Sequence, residues 1–90
     1  MPSRPTLTQL NVLQDTAKYG HLHRLRGRWV PHTITTVEQM LRSKFRSHHQ
    51  QTIQSCRARG WLAPVGERKA VWPPLTITMV GRKVLADADR

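Results

Sequence analysis

Glycine and proline residues divide this 90-residue chain into short segments everywhere except residues 32–59, which indicates a small number of helices and strands around one core. Gly20 ends the first stretch of periodic apolar residues, and Gly60 ends the central one. A chain of this length has no residues left over for a second core. We therefore expect a flexible basic arm over residues 1–5 and a single domain over residues 6–90.

The chain is strongly basic, with 15 Lys and Arg against 5 Asp and Glu and a formal net charge of +10. An excess of positive charge opposes compaction of the chain, so binding to a polyanionic partner would explain why the chain has it. Nucleic acid is the first candidate. An anionic membrane surface is the competitor, but the sequence has no long helix with a basic face opposite an apolar one.

Cysteine usage and hydropathy indicate the compartment. Cys56 is the only cysteine in the sequence, which excludes an internal disulfide framework. No charged segment followed by an apolar run opens the chain, and no stretch approaches the roughly 20 apolar residues that span a bilayer. We expect a cytoplasmic protein of a bacterial cell or its nucleoid, with no membrane partner.

The first part of the domain combines one clear helix with a loop. Apolar residues recur at helical spacing over residues 7–19, and Thr6 with Gln9 forms a capping box in front of them. Residues 21–32 show no helical period and predict a loop with a short strand at residues 29–30. Three basic residues of this loop would share one side of an extended chain: Arg24, Arg26 and Arg28.

A capping box in the middle of the chain predicts a second helix. Thr35 or Thr36 can cap residues 37–45, because Glu38 and Gln39 follow at the required spacing. Four apolar residues of this helix are expected to face the core: Val37, Met40, Leu41 and Phe45.

Another capping box predicts a third helix over residues 47–59, with Ser47 as its cap and Gln50 three residues on. Three residues would share its inward face: His49, Ile53 and Cys56. The alternative is one unbroken helix over residues 37–59, because no glycine or proline separates the two stretches.

The last third predicts a β-hairpin and a final helix. Residues 61–65 and 71–77 have strand character around a polar loop of residues 66–70, although two prolines confine the second strand to an edge or bend it. Thr78 can cap the final helix. Its inner side would carry Val80, Val84, Leu85 and Ala88.

This order of elements predicts a mainly α fold with a small β-hairpin wing (α+β), and three motifs resemble a known family. Arg59-Gly60-Trp61-Leu62 resembles the junction between recognition helix and wing in bacterial winged-helix repressors. Residues 77–85 resemble the L-T-x-x-G-R-x-x-L signature of MarR-like and PadR-like regulators, and residues 7–13 are similar to their first helix. The resemblance implies a winged helix-turn-helix domain, of a size that suits a bacteriophage or mobile-element regulator.

The sequence departs from that family in two places. The long flanking helices that dimerise MarR-like proteins have no counterpart, so their dimerisation does not carry over. Residues 43–47 also place Ser-Lys-Phe-Arg-Ser where the helix-turn-helix turn usually has a small residue.

The helix of residues 47–59 is the predicted recognition helix in the major groove, and residues 66–70 form the basic wing. Glutamine and serine side chains read base edges by hydrogen bonding. The expected base-reading residues are Ser47, Gln50, Gln51, Gln54 and Ser55. The expected backbone and wing contacts are Thr36, Arg42, Lys44, Arg46, Arg57, Arg68 and Lys69. The competing interpretation is an ordinary polar helix face and a charged hairpin tip.

Other chemistry finds less support in the sequence. We expect Trp29, Trp61 and Trp72 in the core, with base stacking as the alternative for the first and the last. The histidines and the one cysteine lack the paired spacing of a zinc site. The carboxylates are scattered and no nucleophile or phosphate-loop motif occurs, so we predict neither an enzyme nor a cofactor or metal.

These observations predict a double-stranded DNA-binding transcription regulator, such as a repressor. A homodimer is expected on DNA, since one small module contacts too few base pairs to define an address in a genome. The alternative is a small winged-helix interaction module that binds and redirects a host nucleic-acid machine, because fold does not fix function.

Overall fold

The computed structural model describes residues 4–42, 46–66 and 72–88. The part of the predicted arm at residues 1–3 lies outside these ranges. The described elements, in chain order, are α1 (Leu7–Tyr19), β1 (His21–Leu25), β2 (Arg28–Pro31), α2 (Val37–Arg42), β3 (His48–His49), α3 (Gln50–Ala58), β4 (Leu62–Pro64), β5 (Leu75–Ile77) and α4 (Met79–Ala88).

Local hydrogen bonds define both ends of α1, as the sequence predicted. The Gln9 amide donates to Thr6 Oγ1 (3.2 Å), and the Thr6 amide donates to Gln9 Oε1 (2.9 Å), which completes the capping box. At the other end, Gly20 has a φ of 94° and its amide donates to the Thr16 carbonyl (2.9 Å). The predicted helix over residues 7–19 is confirmed.

The segment after α1 is a β-hairpin: the predicted short strand at residues 29–30 is confirmed within β2, but the loop predicted before it is wrong, because residues 21–25 form β1. β1 and β2 pair antiparallel around Arg26 and Gly27, which both have positive φ (53° and 79°). Such a two-residue turn usually carries Asn-Gly or Asp-Gly, so Arg-Gly gives a weak signal in the sequence. The three arginines do not share one side. Arg26 lies in the turn. Arg24 pairs with Trp29 and Arg28 pairs with Leu25, which puts Arg24 and Arg28 on opposite faces of the hairpin.

The described strands form one five-stranded antiparallel sheet in the order β3-β2-β1-β5-β4. β5 pairs with β4 on one side and with β1 on the other, where His21 lies opposite Thr76 and Leu22 opposite Leu75. The predicted mainly α fold with a small separate wing is therefore wrong, because the predicted wing strands are part of this larger sheet. β5 begins at Leu75, after the two prolines, so neither of them interrupts its hydrogen bonds.

The middle of the chain contains two helices, and the alternative of one unbroken helix is wrong. Residues 46–49 are not helical, and His48 lies opposite Trp29 in the pairing of β3 with β2. This pairing moves the start of α3 to Gln50, with His49 as its N-cap and no side-chain capping bond. The predicted cap at Ser47 is wrong because residues 48–49 extend the sheet instead.

α2 contributes little to the core, contrary to the sequence prediction. Thr36 caps it as expected, with the Gln39 amide donating to Thr36 Oγ1 (3.1 Å). However, α2 buries none of its residues, and the Leu41 side chain is 78% exposed. Residues 43–45, including Phe45, lie outside the described ranges.

The core lies between the sheet and helices α1, α3 and α4. Its buried members are Val12, Leu13, Leu22, Trp29, Ile53, Cys56, Trp61, Leu62, Leu75 and Ile77. On α4, Val84 and Leu85 pack against this cluster as predicted, but Val80 and Ala88 are exposed and Gly81 is buried instead. Within the described ranges, no helix has the length and apolar character needed to cross a bilayer.

Candidate nucleic-acid interface

α3 is fixed on three sides, and its fourth side is open. Ile53 and Cys56 point into the core. Trp29 Nε1 donates to Gln50 Oε1 (2.6 Å), which ties the start of α3 to β2. On the opposite flank, Gln9 Nε2 donates to the Ser55 hydroxyl (2.9 Å), which ties α3 to α1. The open side carries Gln51, Gln54, Arg57 and Ala58.

The structure divides the predicted base-reading residues into two groups. Gln51 and Gln54 are exposed on the open side of α3. Gln50 and Ser55 are half-buried, and their polar atoms bond to Trp29 and Gln9 within the protein. Ser47 is half-buried beside the start of α3. Helical periodicity alone placed all five together, because it does not show which flank of a helix meets a neighbour.

The predicted backbone contacts are also divided. Arg57 is exposed next to Gln54, whereas Thr36 caps α2. Arg42 pairs with Glu38 one turn earlier (2.9 Å) on the exposed surface of α2. Three predicted contacts lie outside the described residues: Lys44, Arg68 and Lys69.

A buried carboxylate lies near the start of α3, and the sequence did not predict it. Asp15 accepts a hydrogen bond from His48 Nε2 (2.8 Å) and two from Arg46, at Nε (3.3 Å) and Nη2 (2.9 Å). His48 faces inward and His49 faces outward, because successive residues of a strand point to opposite faces. The predicted inward position of His49 is therefore wrong, and the inward residue is its neighbour His48. The sequence signal that could have revealed this cluster is the position of Asp15, next to Thr16 and among the inward-facing residues of α1.

The donors around Asp15 keep it ionised. Burial raises the pKa of Asp15, but the hydrogen bonds and charges of His48 and Arg46 outweigh burial, so the pKa lies below its ordinary value. The hydrogen bond to Asp15 likewise raises the pKa of Arg46. This cluster therefore holds a fixed guanidinium at the edge of α3.

A second basic group lies at the turn of the β1–β2 hairpin. Arg24, Arg26 and Arg28 are exposed, and Arg28 Nη1 lies 3.4 Å from His49 Nε2. This contact places Arg28 beside the N-cap of α3. The Arg24 guanidinium lies 4.9 Å from the ring centroid of Trp72, which is 39% exposed. Trp29 and Trp61 are buried, so base stacking by Trp29 is excluded.

A groove of about 290 Å³ lies between the first half of α1 and the start of α3. The described residues that line it all have polar side chains: Thr8, Asn11, Arg46, Ser47, His48, His49 and Thr52. None of these is acidic, and Asp15 lies behind Arg46 and His48. The described lining therefore brings hydroxyl, amide and cationic groups to the groove, together with a larger area of carbon surface.

The described residues offer little for covalent or metal chemistry. Burial raises the pKa of the Cys56 thiol to about 11, which makes it a poor nucleophile near neutral pH. No three His, Cys, Asp or Glu side chains in the described part of the chain are arranged to share a metal ion. The chemistry of the open surface is that of hydrogen bonding and positive charge.

Comparison with protein-family models, with curated proteins and with solved structures gives no match to this chain. The resemblance to MarR-like and PadR-like regulators thus stays a prediction from short motifs. Fold and site define a class, a basic α+β protein whose five-stranded antiparallel sheet presents one open helix between a polar groove and an arginine-rich hairpin.

Proposed function

We propose that this protein binds double-stranded DNA and acts as a transcription regulator, with the open side of α3 in the major groove. The observation that carries the proposal is the exposure of Gln51 and Gln54 on the same open side of α3 as Arg57. Glutamine amides match the donor and acceptor pattern of adenine in the major groove. We assign Arg57 on this side, and Arg28 beside the N-cap of α3, to contacts with the phosphates.

The charge pattern supports the same proposal. No acidic residue occurs between Glu38 and Glu67, a stretch that includes all of α3. Two of the described carboxylates are paired: Asp15 pairs with Arg46 and accepts a hydrogen bond from His48, and Glu38 pairs with Arg42. A phosphate backbone that approaches α3 therefore meets an attractive field with few opposing charges.

Fluorescence anisotropy of the purified chain with labelled random duplex, at two salt concentrations, tests the proposal. We expect binding to the duplex that weakens steeply with salt, and weaker binding to a single strand of the same sequence. Repeated selection from a random duplex pool is then expected to enrich one sequence. No duplex binding at low salt, or a preference for the single strand, would refute the proposal and favour a protein partner.

We also propose that two copies act on paired half-sites and that the protein works in the cytoplasm. Nine residues of α3 span about 13 Å, which covers only a few base pairs. Sedimentation of the complex with the selected duplex measures its stoichiometry. A single copy per duplex would contradict the paired arrangement.

A further inference from the structure

We propose that the groove between α1 and α3 holds a sugar–phosphate unit of the DNA backbone, next to the bases that α3 faces. This inference rests on the proposed function and adds a defined contact to it. The groove has about 290 Å³ of space, which exceeds a bare phosphate and accommodates the attached deoxyribose. Most contacts in protein–DNA complexes go to phosphate and sugar, and they fix the register of the reading helix.

Arg46, whose charge is balanced by Asp15, supplies the guanidinium donors that its two bonds to Asp15 leave free. A guanidinium carries five N–H donors in a rigid fork, and the bonds from Nε and Nη2 to Asp15 hold that fork in one orientation. The Arg46 side chain is still 48% exposed, so solvent and ligands can reach it. Fixing the group in advance reduces the conformational entropy that a phosphate contact would otherwise cost.

Neutral donors complete the lining. Thr8 and Asn11 lie on the α1 side of the groove, and Ser47 and Thr52 lie on the α3 side. Hydroxyl and amide groups are common donors to phosphate oxygens, and threonine methyl groups offer apolar contact for the sugar. None of the described lining residues is a carboxylate, and Asp15 behind them is paired with Arg46.

The groove is adjacent to the reading surface but distinct from it. Thr52 is half-buried on the flank of α3 that faces α1, while its neighbour Gln51 is exposed on the open side. A backbone unit in the groove would therefore lie beside the bases that Gln51 contacts. The groove sets the position of α3 on the duplex, and the glutamines read its sequence.

A pair of matched variants on α1 tests the proposal. Asn11→Asp places a carboxylate in the groove, and Gln14→Glu places one on the exposed surface of the same helix. We expect Asn11→Asp to weaken binding to random duplex at least about tenfold and to reduce the salt slope by about one. Gln14→Glu is expected to weaken it by less than about threefold, since exposed charges are screened by salt. Circular dichroism checks that both variants fold.

A neutral pair gives a second measurement. Thr52→Val removes the hydroxyl and keeps the shape of the side chain, and Thr33→Val does the same at an exposed loop position. We expect Thr52→Val to reduce duplex affinity about threefold to tenfold and Thr33→Val to leave it unchanged.

The outcomes separate this inference from the proposed function. If the wild-type chain binds duplex but the members of each pair lose affinity equally, the groove is not a backbone site, and the assignment of α3 stands. If the wild-type chain binds no duplex, both proposals fail. Preferential loss in Asn11→Asp and Thr52→Val supports both.

Discussion

Asp15 on α1 accepts a hydrogen bond of 2.8 Å from the ring of His48, 33 residues further along the chain. Both side chains are almost withdrawn from solvent, with 10% and 6% of their surface exposed. Because His48 also pairs with Trp29 across β3 and β2, this one contact joins α1, the sheet edge and the start of α3. The position of the proposed reading helix therefore depends on a buried carboxylate.

Asp15→Asn is expected to lower the free energy of unfolding by about 1–3 kcal/mol near neutral pH, because the amide cannot satisfy donors on both His48 and Arg46. The pKa of Asp15 is below 3.8, so its contribution is complete above that pH and disappears as pH falls through the lowered value. The difference between wild type and variant should therefore shrink in acid.

Urea unfolding at about pH 6 and about pH 2.5 measures this difference. The control is Glu38→Gln, which also removes one negative charge but breaks only the exposed pair with Arg42. Its expected cost is below about 1 kcal/mol. Equal losses in the two variants would show that the Asp15 cluster does not stabilise the fold.

Gly81→Ala is expected to destabilise the protein, although alanine normally favours a helix over glycine by about 1 kcal/mol. A Cβ at this position would clash with the Trp61 carbonyl oxygen and lie 2.8 Å from Cγ1 of Ile77. We expect a loss of about 1–3 kcal/mol from overpacking, measured by thermal or urea unfolding. Lys83→Ala on the exposed side of the same helix is the control, with a change within about 0.5 kcal/mol. A stabilised Gly81→Ala variant would contradict the close approach of α4 to Trp61.

The stability of the fold is expected to decrease in mild acid because of His21. Its ring stacks on His32 with centroids 4.1 Å apart. Burial, followed by the charges of His32 and His23, lowers the pKa of His21 below 6.5. The folded state then binds protons less readily than the unfolded chain, so stability is complete above about pH 6.5 and falls as pH drops through the lowered pKa.

His21→Phe keeps an aromatic ring on His32 and removes the titrating group. We expect its unfolding free energy to decrease less steeply than that of wild type between about pH 7 and about pH 5. Urea unfolding at intervals across this range gives the two slopes. Identical slopes would mean that His21 does not couple folding to pH.

Gln51→Ala and Gln54→Ala are expected to weaken binding to the selected duplex by about 1–3 kcal/mol, with little effect on random duplex. Base-edge hydrogen bonds distinguish sequences, whereas phosphate contacts do not. Arg57→Ala is the comparison and should weaken both complexes by similar factors. Anisotropy titrations with the two duplexes provide the ratios. If the glutamine variants lose equal affinity on both, α3 does not read bases.

Short-range signals in the sequence determined several parts of this protein. The capping box of Thr6 and Gln9 and the C-cap at Gly20 define α1, because their hydrogen bonds join residues three or four apart. The inward positions of Ile53 and Cys56 followed from helical periodicity. The net charge and the absence of acidic residues between Glu38 and Glu67 are likewise properties of the sequence alone.

Contacts between distant residues decided the rest. The pairing of His21 with Thr76 turned a predicted loop and a separate wing into one sheet, and sequence gives no register for strands so far apart. The pairing of Trp29 with His48 shortened α3 and turned His48, not His49, toward Asp15. Bonds to Trp29 and Gln9 then removed Gln50 and Ser55 from the open side of α3. Local periodicity identifies a polar helix face, but only packing against neighbouring elements determines which of its side chains remain open to a partner.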